Sequence, residues 1–465
     1  MSILASRVVG SLLLLASMAG CGDGSASMTM APANPDTPQD LTRLNHIVVI
    51  YLENHSFDNL YGGFPGAEGL LQARNAPKQV DAMGNIYATL PQPLDTNKSP
   101  PAPDPAFPAD LPNAPFNIDR YVDSSLLIPD LIHRFYQEPM QINGGRMDKF
   151  ALLSDAAGLS MGYYDTDQLP LARLAANYTL CDHFFHAAFG GSFLNHIWMI
   201  AAASPIFPNA PARIVSKLDA QGNLVADGKV TPDGYVVNTS YSVNSPHPAG
   251  AETVELVPQQ TMTTIGDLLS AKGISWAWYS GGWNDALAGA PAPLFQFHHQ
   301  PFAYFANYKD GTPAKAEHLK DEHDLLAAIQ TGTLPAVSFY KPIGEDNEHP
   351  GYADVASGEL HTLSLISALQ ASPQWKETAI IVTYDENGGE WDHVPPPRRD
   401  KWGPGTRVPA IVISPFAKKR YVDKTPYDTL SIMATIEHRF QLGHTGGPDA
   451  TAQDLTPAFD FTQQP

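Results

Sequence analysis

Two adjacent carboxylates, Asp385 and Glu386, close an apolar run in IIVTYDENGGEWDHVPPP. Such neighbours repel each other and resist leaving water, so near apolar surroundings they stay ionised only with a cation or several donors between them. A second run, HIVVIYLENHSFDN from His46, ends on Glu53 and Asn54, oxygen donors that suit a hard or borderline cation. The plainer use of that pair is a turn in which Asn54 and Asp58 bond local backbone. FGGSFLNHIW carries Ser192 behind two glycines, which permit a tight backbone and the approach of a large group. A serine hydroxyl is a weak nucleophile unless a base or a metal activates it. Position 194 is Leu, so the segment does not fit G-x-S-x-G, and a turn-capping role is open to Ser192 as well. His133 in DLIHRFYQEPMQINGG, His298 and His299 in FQFHHQPF, and His349 in GEDNEHPG sit among glycines, aromatics and acids. Singly, each reads as a structural histidine more readily than as a functional one. On a strand His298 and His299 would face opposite ways; in a loop both could reach one centre.

These residues need a frame to bring them together. The runs from His46, Pro335, Ala379 and Val408 are continuously apolar, which predicts strands buried on both faces. Helical patterns, HTLSLISALQAS from His361 and DTLSIMATIEHRF from Asp428 with Asp428 or Thr429 as N-cap, lie between and after them. The alternation predicts an α/β fold, a mostly parallel central sheet flanked by helices on both faces. Ligands bind such sheets beyond the carboxyl ends of the strands, where both acidic pairs fall. Residues 91–116, dense in proline, predict an irregular excursion, and 211–257, with turn residues between β-prone runs, one or two hairpins over the main sheet. No repeat of solenoid length is present.

Composition narrows the class. The 465 residues include 43% hydrophobic and only 16% charged side chains, a folded rather than disordered chain. A net charge of −20 disfavours nucleic acid and anionic lipid surfaces, so a phosphate-bearing substrate needs a local positive centre. Arg7 and the apolar stretch Val8 to Ala19 read as a signal peptide, residues 1–20. LASMAGC reads as a lipoprotein cleavage box, with Cys21 acylated and residues 21–41 a flexible tether to a single domain, 42–465. The chain is thus expected to be exported, held at the cell envelope by that lipid or else secreted. Cys181, the other cysteine, reads as a buried small hydrophobe.

ENHSFDN, QINGG, GGSFLNH, YDENGG and DHVPPP, spread in order from about Asn45 to Leu442, resemble the bacterial phosphoesterase family of acid phosphatase A and non-specific phospholipase C enzymes. That resemblance implies an alkaline-phosphatase-like fold, Ser192 as nucleophile, and one divalent metal ion (Ca, Zn, Mg or Fe) held by Glu53, Asn54, Ser192, Asp385 and Glu386. It also implies that His133, His298, His299 and His349 line the phosphate pocket as catalytic and substrate-binding groups, with Asn195 beside them. Glu386 stands where the acid phosphatase pattern has Asp. The implied activity is a broad-specificity acid phosphatase working through phosphoserine on phosphorylated small molecules or phospholipids. A phospholipase C-type phosphodiesterase and a non-catalytic lipoprotein that captures phosphorylated ligands are the alternatives.

Overall fold

The computed structural model describes residues 38–465. The expected signal peptide, Cys21 and most of the expected tether lie outside the described residues. Pro38–Arg43 forms a 3-10 turn and Leu41, expected to end the tether, is fully buried in the domain.

Eight strands build the main sheet: β1 (His46–Leu52), β2 (Thr179–Cys181), β3 (Trp276–Ser280), β4 (Leu319–Asp321), β5 (Val337–Lys341), β6 (Thr378–Tyr384), β7 (Ala410–Ile413) and β8 (Tyr421–Asp423). Their order is β4-β3-β5-β1-β6-β7-β2-β8. β1 lies between β5 and β6, parallel to both, with Ile50 opposite Tyr340 and Val382. Every residue of β3, β5, β6 and β7 is buried, so both faces are covered. Helices α1 (Ser192–Ala201), α2 (Glu322–Thr331), α3 (Val355–Ala371) and α4 (Thr429–Phe440) flank the sheet, α2 packing on α3 and α1 on α4. Asp428 is the N-cap of α4, accepting from Leu430 N at 2.8 Å. Among the described residues no helix is long and apolar enough to cross a membrane.

β7 runs against both its neighbours. The stretch from Asp385 to Pro409 contains no helix, and without a crossover the chain can only turn back. Strands β2, β3, β4 and β8 were not read from the sequence. Three of them are only three residues long, below the length at which an apolar pattern declares itself. Helix α3 starts six residues ahead of His361, where Asp354 caps it by accepting from Ser357 N. The 91–116 excursion is irregular apart from short pairings: Leu94–Asp95 with Ala102–Pro103, a bridge of Pro112 with Thr89, and Phe116 opposite Gly162. In 211–257 one hairpin forms, Lys217–Leu218 with Leu224–Ala226. The other β-prone run makes only isolated bridges, such as Val230 with Val236. Cys181 is fully buried in β2, as expected.

Candidate active site

Three loops meet at the carboxyl ends of β1 and β6, and glycine makes the meeting possible. After β1 the chain turns at Asn54, which adopts φ 61, a left-handed value that asparagine tolerates. Gly388, after β6, lies so close that an added Cβ would stand 2.3 Å from Asn54 O. At Gly389 a Cβ would stand 2.5 Å from Ile132 O, which brings in the segment carrying His133. The Gly-Gly pair therefore packs three remote backbones together. Gly190, at φ 86, is pressed against Phe135 in the same way and delivers Ser192 as the first residue of α1.

The acidic side chains are all sealed from solvent: Glu53, Asp385 and Glu386 are each 0% exposed. The Ser192 hydroxyl donates to Glu53 Oε2 at 2.9 Å and lies 3.2 Å from Asn54 Oδ1 and 3.5 Å from Glu386 Oε1. Asn54 Oδ1 in turn stands 2.8 Å from Glu386 Oε1 and 2.9 Å from Glu53 Oε2, acceptor against acceptor. Turning the amide would let its nitrogen donate to all three; otherwise the four oxygens require a cation among them. Asp385 approaches from behind. Its Oδ1 accepts from the backbone N–H of Asn54 (3.1 Å) and Glu386 (2.8 Å), and its buried Oδ2 has no hydrogen-bond partner.

One residue unread from the sequence changes the electrostatics. Lys341, the last residue of β5, is fully buried with Nζ 2.5 Å from Glu53 Oε1 and 3.9 Å from Asp385 Oδ2. It also donates to Leu52 O at 3.1 Å. A charged residue closing an apolar strand beside β1 was the available signal. Burial pushes the Glu53 carboxyl up, but Lys341 and then His299 more than reverse this and hold it well below its ordinary range. For Asp385, burial and then the Glu53 charge drive the pKa well up, and for Glu386 burial and then Asp385 do the same. Three carboxylates against one ammonium leave two charges unbalanced. The oxygen donor set and this charge deficit fit a divalent cation.

The histidines surround this centre. Nδ1 of His133 donates to Leu131 O and Nδ1 of His349 to Pro350 O, so each ring turns its other nitrogen, Nε2, inward. There Asn54 Nδ2 lies 3.3 Å from His133 Nε2 and 2.9 Å from that of His349. His299 Nε2 is 2.9 Å from Glu53 Oε1. His298 and His299 occupy a 3-10 turn rather than a strand; His299 reaches Glu53, while His298 packs edge-on against it. Burial pushes the pKa of His299 down to about 4 and lowers those of His298 and His349. His196, unassigned from sequence, stacks on His299 with its rings parallel and its Nε2 unpartnered. Its position one helical turn after Ser192, with Nδ1 donating to Ser192 O, was the signal.

Asn195 requires correction as a substrate-binding residue. Its Oδ1 accepts from Ala188 N, and its Nδ2 donates to Ala188 O and lies within reach of Gly190 O and Gly191 O. Fully buried and saturated, it locks the turn that presents Ser192.

Two further donor sets adjoin the centre, Glu53–His196–His299 and Asp130–His133–His349. The ammonium of Lys341 already stands against Glu53 on the first side, which disfavours a second cation there. The second belongs to the mouth, a cavity of about 290 Å³ lined by Asp130, His133, Arg134, Asp155, Asn238 and Thr239. Asn238 and Thr239 come from the 211–257 insertion, which thus helps form the mouth. Of the four pocket histidines, His133 is the most exposed, its side chain 18% accessible.

Residues 44–443 match the Phosphoesterase family model. Phospholipase C A of Mycobacterium tuberculosis is 25% identical over 504 residues, spanning 96% of this chain and 84% of its own. The non-hemolytic phospholipase C of Pseudomonas aeruginosa is 25% identical over 479 residues, 91% of this chain and 58% of its own. Among solved structures, a Vibrio parahaemolyticus protein in the alkaline phosphatase superfamily aligns with TM-score 0.36 and 10% identity, covering 64% of this chain and 65% of that one.

Proposed function

Because the chain belongs to the Phosphoesterase family and is a hydrolase of phosphoric esters, we propose that it is a metal-dependent phosphomonoesterase of broad range that forms a phosphoserine at Ser192. The observation that carries this is the buried Ser192 hydroxyl, within 3.5 Å of oxygens from Glu53, Asn54 and Glu386. A divalent ion held by Glu53, Asn54, Glu386 and the Ser192 hydroxyl, with Asp385 behind them, would supply Lewis acidity and neutralise phosphoryl charge.

The chain's own groups do the rest. Glu53 Oε2 accepts the Ser192 hydroxyl hydrogen bond and is the first acceptor of its proton. Lys341 keeps Glu53 ionised for that task. Attack by Ser192 Oγ forms the new P–O bond as the ester P–O bond breaks, and the leaving alkoxide takes a proton. His133, at the mouth, is best placed to give it. Water then cleaves the phosphoserine. In the free site burial lowers the pKa of three of the four rings, His298, His299 and His349. An acid optimum therefore rests on a bound phosphoryl dianion drawing protons onto them.

A small mouth with charged and amide walls favours monoesters with polar leaving groups. A phospholipase C-type activity is the second reading, favoured by the relatives' names. A cleft of about 520 Å³ lined by Phe135, Tyr136, Met140, Leu218, Leu224 and Trp402, on the segment that carries His133, could accept acyl chains. Parallel turnover of p-nitrophenyl phosphate, its bis ester and phosphatidylcholine separates the two. Ser192→Ala should lower turnover at least about a thousandfold while leaving phosphate binding largely intact. Unchanged turnover would overturn the reading; a protein that binds phosphate without turning over any ester is a binding lipoprotein. Envelope attachment through Cys21 is proposed with it, and Cys21→Ser should move the protein from the membrane to the soluble fraction.

A further inference from the structure

At the far end of helix α1 from Ser192, a second set of ligand-type side chains gathers between α4 and the loop that follows it. Glu437 projects from the last turns of α4, and His444 and Asp449 come from the loop. One donor atom from each lies within 4.8 Å of the others. His444 Nδ1 is 2.9 Å from Glu437 Oε2, and Asp449 Oδ2 accepts from Thr445 N at 2.7 Å. The remaining carboxylate oxygens, Glu437 Oε1 and Asp449 Oδ1, are both enclosed and have no hydrogen-bond partner, although each residue is only 1% exposed. Two buried carboxyls whose inner oxygens face no other donor are satisfied by a shared cation or by a shared proton.

We propose that Glu437, His444 and Asp449 form a second, non-catalytic cation site that takes a divalent transition-metal ion such as Zn²⁺. An imidazole with two carboxylates is a donor set for Zn²⁺ or Mn²⁺ rather than for Ca²⁺ or Mg²⁺, which favour oxygen alone. The His444 side chain is 42% exposed and opens the site to solvent, giving the ion a path in. The site's position defines its effect. Thr445 Oγ1 donates to Ala201 O, and Gly447 is pressed so close to Ala202 that an added Cβ would stand 2.5 Å from its carbonyl oxygen. The loop therefore seats on the C-terminal end of α1, and an ion joining it to α4 would clamp the helix whose first residue is Ser192.

The test separates this site from the catalytic one by removing the catalytic donors. The E53Q/E386Q protein, stripped by chelation, is titrated with Zn²⁺ alone and followed by calorimetry, elemental analysis and thermal unfolding. It should bind a single equivalent and unfold at higher temperature when loaded. Adding Asp449→Asn should abolish both effects. Adding His444→Ala, at a half-exposed position that should not disturb the metal-free fold, should weaken binding at least about tenfold, since loss of even an outer partner costs that much. Failure of E53Q/E386Q to bind Zn²⁺ would overturn the proposal and leave a proton shared between Glu437 and Asp449. Undiminished binding after His444→Ala and Asp449→Asn would overturn it equally.

Discussion

At the scale of single residues, the site is a problem in charge. Asp385 and Glu386 were legible because two acids ending an apolar strand have no structural excuse. Lys341 was not, because one lysine after VSFY reads as a surface end; only the β5–β1 pairing shows that it points at Glu53. Asn195 was misread because a polar residue in a catalytic motif looks functional until its bonds to the Ala188–Gly191 turn are seen. Behind the centre, His55 is fully buried between Asn59, Glu390 and the Glu348 carbonyl. Burial alone would strip its proton, but Glu390 and then Glu348 more than reverse this and raise its pKa from 6.5 to about 9. A raised histidine stabilises the fold fully below 6.5 and loses that contribution as pH climbs through 9. Glu348, lifted by burial from 4.5 to about 7, acts with the same sign at lower pH, its contribution being lost as pH rises to about 7. Thermal stability should therefore fall between pH 6.5 and about 9, and His55→Asn should flatten that slope; an unchanged slope would contradict the assignment.

At the scale of elements, the parallel core β5-β1-β6 was readable from its apolar runs, and the rule that ligands sit at carboxyl ends placed both acidic pairs correctly. The short strands were not readable, since β2, β4 and β8 owe their state to pairing partners rather than to their own pattern. Nor was the reversal of β7, which follows from a missing crossover helix. The Gly388–Gly389 turn was visible as a motif, but its reason, the approach of Asn54 and Ile132, is tertiary. Gly388→Ala meets both a positive φ and a contact of 2.3 Å with Asn54 O. It should destabilise the fold by about 1–3 kcal/mol and lower turnover further than that loss explains, by spreading the oxygens around Ser192. Urea unfolding and kcat measured together would test this; wild-type values in both would refute it.

At the scale of the whole molecule, a chain with net charge −20 concentrates three buried carboxylates at one point and sets only one lysine against them, leaving two charges for a cation. Chelation should lower its melting temperature more at pH 8 than at pH 5. Asp385 and Glu386 have raised carboxyl pKa values, so without a cation the fold is least penalised at low pH, where they are protonated, and increasingly penalised as pH rises. Glu386→Gln should narrow the difference between the two pH values; an equal drop at both would count against a cation held by these groups. The mouth, shared between the sheet's own loops and the 211–257 insertion, was only partly foreseeable, because an insertion's sequence gives its turns but not where it folds back. The most direct test of the account is to quench turnover of a phosphomonoester in acid and map the trapped phosphoryl group by peptide mass spectrometry. Phosphate is expected on the peptide bearing Ser192, and absent from Ser192→Ala and from chelated enzyme. Phosphate on a peptide that lacks Ser192, or no phosphoenzyme while the enzyme turns over at full rate, would contradict this.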